Sequence, residues 1–182
     1  SKVKILLDDD RVVLFTGTPC QCVGLVNFLQ RKYENLIIED LGDIREETIK
    51  LRNHYGFTRQ KILQFAIDLN YFYDKDNDSE NVLVFPGNHD CHTIHGWYKT
   101  LNEEYRERLK EFLRRNECYD INVNIGIMEY CIKCKAKIVV LTVQDIIGLD
   151  DSARINIPGT MSNENWTWKL TDFETLKERI KD

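Results

Sequence analysis

Two acidic residues stand where a βα architecture gathers its reacting groups. Glu39 closes a short apolar run, Asn35 to Glu39 (NLIIE), and Asp90 follows another, Asn81 to Phe85 (NVLVF), within Gly87-Asn88-His89-Asp90. Loops at the carboxyl ends of parallel strands converge on one face, so side chains carried there can act together. Two carboxylates from neighbouring strand ends suit glycosidic-bond chemistry. One donates a proton to the leaving oxygen while the other stabilises an oxocarbenium-like centre. Acidic residues at strand ends also cap helices, and spacing alone does not separate the two uses.

The other groups able to do chemistry point less far. Cys131-x-x-Cys134 has the spacing of a zinc ligand pair, but Cys20-x-Cys22 does not complete it. His89, His92 and His95 lie three apart and would share a face only if that segment were helical. No metal and no cofactor is expected from these patterns. The stretch Tyr73 to Asn81 (YDKDNDSEN) lacks the ordered spacing and terminal Glu of a calcium loop and reads as a solvated connection. With 6 cysteines and no secretory signal, free thiols in a reducing cytoplasm are the expectation.

The elements that would carry Glu39 and Asp90 alternate short β-rich runs with longer amphipathic stretches, the pattern of an α/β fold. Strands are expected near 11–16, 35–39, 61–66, 82–85 and 137–142. Helices are expected near 21–33, 45–55, 101–116, 122–134 and 172–180, with Gly56 ending the second. The chain has 182 residues, 42% hydrophobic, enough for one sizeable core. Its formal charge of −5 argues against a nucleic-acid partner, and no apolar stretch approaches membrane-span length.

From Leu36 onward the chain resembles the C-terminal part of the 4-alpha-glucanotransferases (amylomaltases). The matching stretches run in the family's order: Ile38-Glu39-Asp40-Leu41-Gly42, Leu51-Arg52 with Tyr55-Gly56-Phe57, Ile62 to Ala66, and His89-Asp90 with Gly96-Trp97-Tyr98. After these come Gln144 to Leu149, Ala153 to Thr160 and Asn165 to Leu170. The resemblance implies a partial (β/α)8 TIM-type barrel, its C-terminal half, with parallel strands and intervening helices. It implies transfer of α-1,4-glucan segments between malto-oligosaccharides by a retaining mechanism, without metal or organic cofactor. Glu39 then matches the general acid/base and Asp90 the carboxylate that stabilises the transition state. His89 matches the histidine that hydrogen-bonds the sugar at the cleavage point, and Asp68 and Asn156 fall at substrate contacts. Trp97, Trp166 and Trp168 are each candidates either for core packing or for stacking on glucose rings.

The sequence also departs from that family. Its nucleophilic aspartate lies in an Arg-x-Asp-His context, and no such motif occurs here. Where the family has Asn-Asp-Thr after His-Asp, this chain has Cys91-His92-Thr93. Residues 3–35, with Gly17-Thr18-Pro19-Cys20-Gln21, resemble instead the coenzyme F420 hydrogenase/dehydrogenase beta-subunit family of flavin and iron–sulfur proteins. The chain therefore reads as a foreign segment, 1–35, joined to half of a catalytic barrel, 36–182. Half a barrel leaves strand edges unpaired, so self-association or a partner is expected. Without the nucleophile, little or no activity is expected of the chain alone. A non-catalytic glucan-binding or complementing fragment and a flavin/iron–sulfur oxidoreductase piece are the rival readings.

Overall fold

The computed structural model describes residues 2–40, 46–66 and 81–181. Helices alternate with strands from α1 to β4, and the strand pairings β1–β2 and β2–β3 are both parallel. The chain divides into two compact units, one of Ser1–Gln60 with Glu80–Leu83, the other of Lys61–Ser79 with Val84–Asp182.

The first unit is built on a βαβ crossover. After α1 (Lys2–Asp8) come β1 (Val13–Gly17), α2 (Pro19–Leu29) and β2 (Leu36–Asp40). Val13 lies opposite Leu36 and Gly17 opposite Asp40. Helix α2 starts at Pro19, where a missing N–H costs nothing, and the Thr18 N–H donates to Gln21 Oε1 at 2.9 Å. It stops at Gln30, whose φ of 58° is left-handed. Both ends thus lie earlier than the apolar periodicity suggests. Burial of Leu7, Leu29 and Tyr33, and of Cys22, Ile38 and Phe57, forms two small cores.

Helix α3 (Glu46–Tyr55) ends at Gly56, whose φ of +67° is the left-handed cap expected of it. Strand β3 (Thr58–Ile62) then pairs with β2, Thr58 opposite Glu39 and Arg59 opposite Asp40. The expected strand at 61–66 is therefore displaced: it begins at Thr58, and the rest of the apolar run becomes the short α4 (Leu63–Ala66). Polar bonds fix that start. The Arg59 N–H donates to Asn81 O at 3.2 Å, the Thr58 hydroxyl to Asn81 Oδ1 at 3.1 Å, and the Asn81 amide to the carbonyls of Gly56 and Phe57. A run of apolar residues does not register such anchors.

Strand β4 (Val82–Phe85) leads into the second unit, and Val82, Leu83 and Val84 are at most 3% exposed, as a strand covered on both faces requires. The helices α5 (Ile94–Thr100), α6 (Glu103–Arg115) and α7 (Val123–Lys133) follow. Asn102 caps α6, accepting from the Tyr105 N–H at 2.9 Å, and the helix has acids in its first turn and arginines in its last. Leu109, Leu113, Ile127 and Cys131 are buried, and Phe112 meets Tyr130 edge-on, with ring centroids 4.7 Å apart. Burial pushes the Cys131 thiol far up from its ordinary value, so it stays protonated.

The expected strand at 137–142 is reduced to β5 (Ile138–Val139), with Val140 N–H reaching Val84 O at 2.9 Å. It ends early because Thr142 turns to cap α8 (Val143–Ile146). A 3-10 turn, Asp151–Ala153, and α9 (Phe173–Lys181) complete the unit. Among the described residues no helix is long and apolar enough to cross a membrane.

Candidate functional site

Within the second unit the turn after β4 presents Asp90. The turn is organised by Asn88, whose carbonyl accepts from the Cys91 N–H at 3.0 Å and whose side-chain oxygen accepts from the Asp90 N–H at 2.9 Å and the Cys91 thiol at 3.2 Å. The Asp90 carboxylate faces outward, held on two sides. Asn156 Nδ2 donates to Oδ1 at 2.7 Å, and His89 Nε2 lies 3.5 Å from Oδ2. His89 and Asp90 side chains are 45% and 39% exposed, so a ligand can reach both. The Asn156 N–H also donates to the His89 carbonyl at 3.1 Å, which locks the two segments together by backbone as well as side chain.

Arg154 braces the same place. Its Nη2 donates to the Asp90 carbonyl at 2.7 Å, its Nε to the Asn156 carbonyl at 2.9 Å, and its Nη1 lies 3.4 Å from each ring nitrogen of His92. Bonds from a planar fork to two carbonyls fix direction as well as distance. His92 in turn bonds Asp151 Oδ2 at 2.5 Å, while Asp151 Oδ1 accepts from the Thr93 N–H at 3.1 Å. Asp151 comes so close to α5 that a Cβ on Gly96 would lie 1.9 Å from its Oδ1. Only glycine permits that approach.

Helix α5 was not anticipated by periodicity. It is fixed by polar contacts: Thr93 Oγ1 accepts from the Gly96 N–H at 3.0 Å and Asp145 Oδ1 from the Ile94 N–H at 2.7 Å. Burial raises the Asp145 carboxyl above its ordinary value, opposed by those bonds from Ile94 and Thr142.

Of the three tryptophans, Trp168 is half-buried and the other two separate cleanly. Trp97 is 8% exposed and belongs to the core. Trp166 is 63% exposed, and its ring centroid lies 5.1 Å from that of His89. The three histidines that sequence spacing grouped do not gather: His89 faces Asp90 and Trp166, His92 faces Asp151, and His95 Nδ1 meets the Gly148 carbonyl at 3.1 Å. Among the described residues no cluster of three His, Cys, Asp or Glu is placed to hold a metal.

The structure thus brings together three of the residues expected at the site, His89, Asp90 and Asn156. Glu39 has its backbone at the end of β2, paired with Thr58, but its side chain lies outside the described residues. Asp68 and the stretch from Tyr73 to Glu80 lie outside them too. Arg154, which bonds the Asp90 carbonyl, and Asp151, which bonds His92 and the Thr93 N–H, were not singled out from the sequence. The signal available was Gly96, read only as part of a matching stretch, since a glycine there marks a close approach by another segment.

The profile of the 4-alpha-glucanotransferase family (Glyco_hydro_77) matches residues 23–175. The chain belongs to that family. A 4-alpha-glucanotransferase of Solanum tuberosum, chloroplastic/amyloplastic, is 33% identical over 152 residues, covering 81% of this chain and 26% of its own length. One from Aquifex aeolicus is 34% identical over 152 residues, covering 80% of this chain and 30% of its own. The chain therefore spans about a quarter to a third of the length of the curated relatives it matches. In fold it is similar to an amylomaltase from Streptococcus agalactiae solved in complex with acarbose, with a TM-score of 0.72 and 23% identity over 90% of this chain and 33% of that one. The family match opens at residue 23, inside the segment that the sequence reading set apart.

Proposed function

We propose that this chain forms part of a 4-alpha-glucanotransferase, contributing the C-terminal half of a (β/α)8 barrel that moves α-1,4-glucan segments between malto-oligosaccharides. The observation that carries the reading is the held carboxylate of Asp90, with Asn156 Nδ2 at 2.7 Å on one oxygen and His89 at 3.5 Å from the other. A carboxylate fixed by donors yet half open to solvent can accept ring hydroxyls and oppose the positive charge of an oxocarbenium-like sugar. In this reading Asp90 stabilises the transition state, His89 bonds the sugar at the cleavage point, and Asn156 orients Asp90 while touching substrate. Glu39 is the proton donor and Asp68 a further substrate contact. Neither a metal nor an organic cofactor takes part.

The pocket beside the turn, lined by Asn88, Cys91, His92, Thr142 and Arg154 among others, has enclosed space for only about one water. A glucosyl ring therefore lies over the turn, against His89 and Asp90, and not inside it. The proposal includes a reducing cytoplasmic setting, in keeping with the free state of all 6 cysteines. It also includes association through unpaired strand edges with a second chain or another copy. Descent of residues 3–35 from an F420-type protein rests on the Gly17-Thr18-Pro19-Cys20-Gln21 motif, and the family match from residue 23 leaves only 3–22 outside it.

The test is glucose release from maltotriose, with calorimetry on maltoheptaose alongside. Since the sequence lacks an Arg-x-Asp-His nucleophile motif, this chain alone should bind maltoheptaose and turn over maltotriose at trace rates. Turnover at rates typical of intact enzymes would overturn the division of roles. Absence of any binding would overturn the glucan reading.

A further inference from the structure

Trp166 is placed as few surface tryptophans are. Its φ of +64° is left-handed, a strained conformation that a bulky side chain keeps only where its surroundings enforce it. The surroundings do enforce it. The Trp166 N–H donates to the Ile155 carbonyl at 2.7 Å, and Asn165 Oδ1 accepts from the Ile157 N–H at 3.3 Å. Asn165 Nδ2 donates to the carbonyl and hydroxyl of Thr160, at 3.2 and 3.1 Å. These bonds cross-brace the loop 157–166 at its root, one residue after Asn156 and its bond to Asp90.

The strain is not spent on burying the indole, which stays 63% exposed. What it achieves is position: the indole lies beside the His89 ring, centroids 5.1 Å apart and planes tilted by 39°. A large aromatic face is thus held open to solvent next to an imidazole and an outward-facing carboxylate. A pyranose presents the complementary surface, an apolar C–H face for the aromatic ring and a rim of hydroxyls for polar neighbours.

We infer that Trp166 is a stacking platform for a glucosyl unit of an α-glucan, adjoining the unit bonded by His89 and Asp90. The inference rests on the glucan reading above and adds to it a residue that sets where the chain of sugars runs. Holding the indole in place beforehand removes the need to order it on binding.

The experiment compares the protein with Trp166→Ala and Trp166→Phe, titrating maltoheptaose by calorimetry while following tryptophan emission. The unaltered chain should bind with a change in emission. Trp166→Ala should bind about tenfold more weakly. In a Trp168→Phe background, where buried Trp97 is the other indole, Trp166→Phe should keep most of the affinity and lose most of the emission change. If Trp166→Ala binds as the unaltered chain does, the platform is overturned and the glucan reading stands. If the unaltered, folded chain does not bind at all, both fall. Should Trp166→Ala fail to fold, Trp166→Phe decides: wild-type affinity with an undiminished emission change would show that the indole takes no part.

Discussion

In the first unit Glu39 reaches the end of β2 by local means, whereas in the second Asp90 is held by residues far along the chain. Strand β2 pairs in parallel with β1 through one short helix, and the small cores are filled by residues from adjacent elements. Asp90, in contrast, receives its bonds from Arg154 and Asn156, 64 and 66 residues away. Local pairing gives a robust frame that tolerates substitution, and long-range polar bracing gives precise aim at the price of tolerance.

Two glycines put this difference to its hardest test. A Cβ on Gly96 would collide with the Asp151 carboxylate, while a Cβ on Gly24, inside α2, would meet nothing within 4 Å. Gly96→Ala should lower stability in urea unfolding by about 3 kcal/mol and weaken maltoheptaose binding as well. Gly24→Ala should raise stability by about 0.5–1 kcal/mol, because alanine loses less freedom in a helix. Equal effects at the two sites would erase the contrast between the units. A double variant, Gly96→Ala with Asp151→Ala, should recover part of the loss if the clash is its cause.

A smaller effect separates the units by the sign of their response to pH. Asp8 is bonded by Lys4 Nζ, Arg31 Nη2 and the Tyr33 hydroxyl, each at 2.6 Å, and the Lys4 and Tyr33 bonds hold its carboxyl below the ordinary 3.8. Its stabilisation is present above pH 3.8 and is lost as pH falls through the lowered native value. Asp145 is raised by burial, so its contribution is greatest in acid and is lost as pH rises from 3.8 through its native value. The stability gap between the parent and Asp8→Asn should therefore close toward acid. The gap between the parent and Asp145→Asn should narrow as pH rises. Salt should shrink the first more than the second, since Asp8 is at the surface.

Much of this molecule was legible in the residues themselves. The runs around Val13, Leu36 and Val82 became strands, and Gly56 ended its helix, because those signals are local. Strand β3 was misplaced because Asn81, not the apolar run, decides where it starts. Strand β5 was overextended because Thr142 is spent on a cap. At the site, His89, Asp90 and Asn156 came from resemblance, not from spacing, which offered Asp90 equally as a helix cap. Arg154 and Asp151 stayed hidden because their partners lie more than fifty positions away in the chain. Trp166 was one of three interchangeable tryptophans until its exposure and left-handed backbone set it apart.

The bond from the Cys91 thiol to Asn88 gives the Asp90 turn a gauge of its own motion. The sulfur is nearly enclosed, its residue 5% exposed, and burial holds the thiol above its ordinary pKa. An alkylating reagent meets it only in the intervals when the turn comes apart. With the open Cys20 and the part-covered Cys134 replaced by serine, the speed at which this sulfur is captured becomes a clock for how often the carboxylate two atoms of backbone away loses its aim.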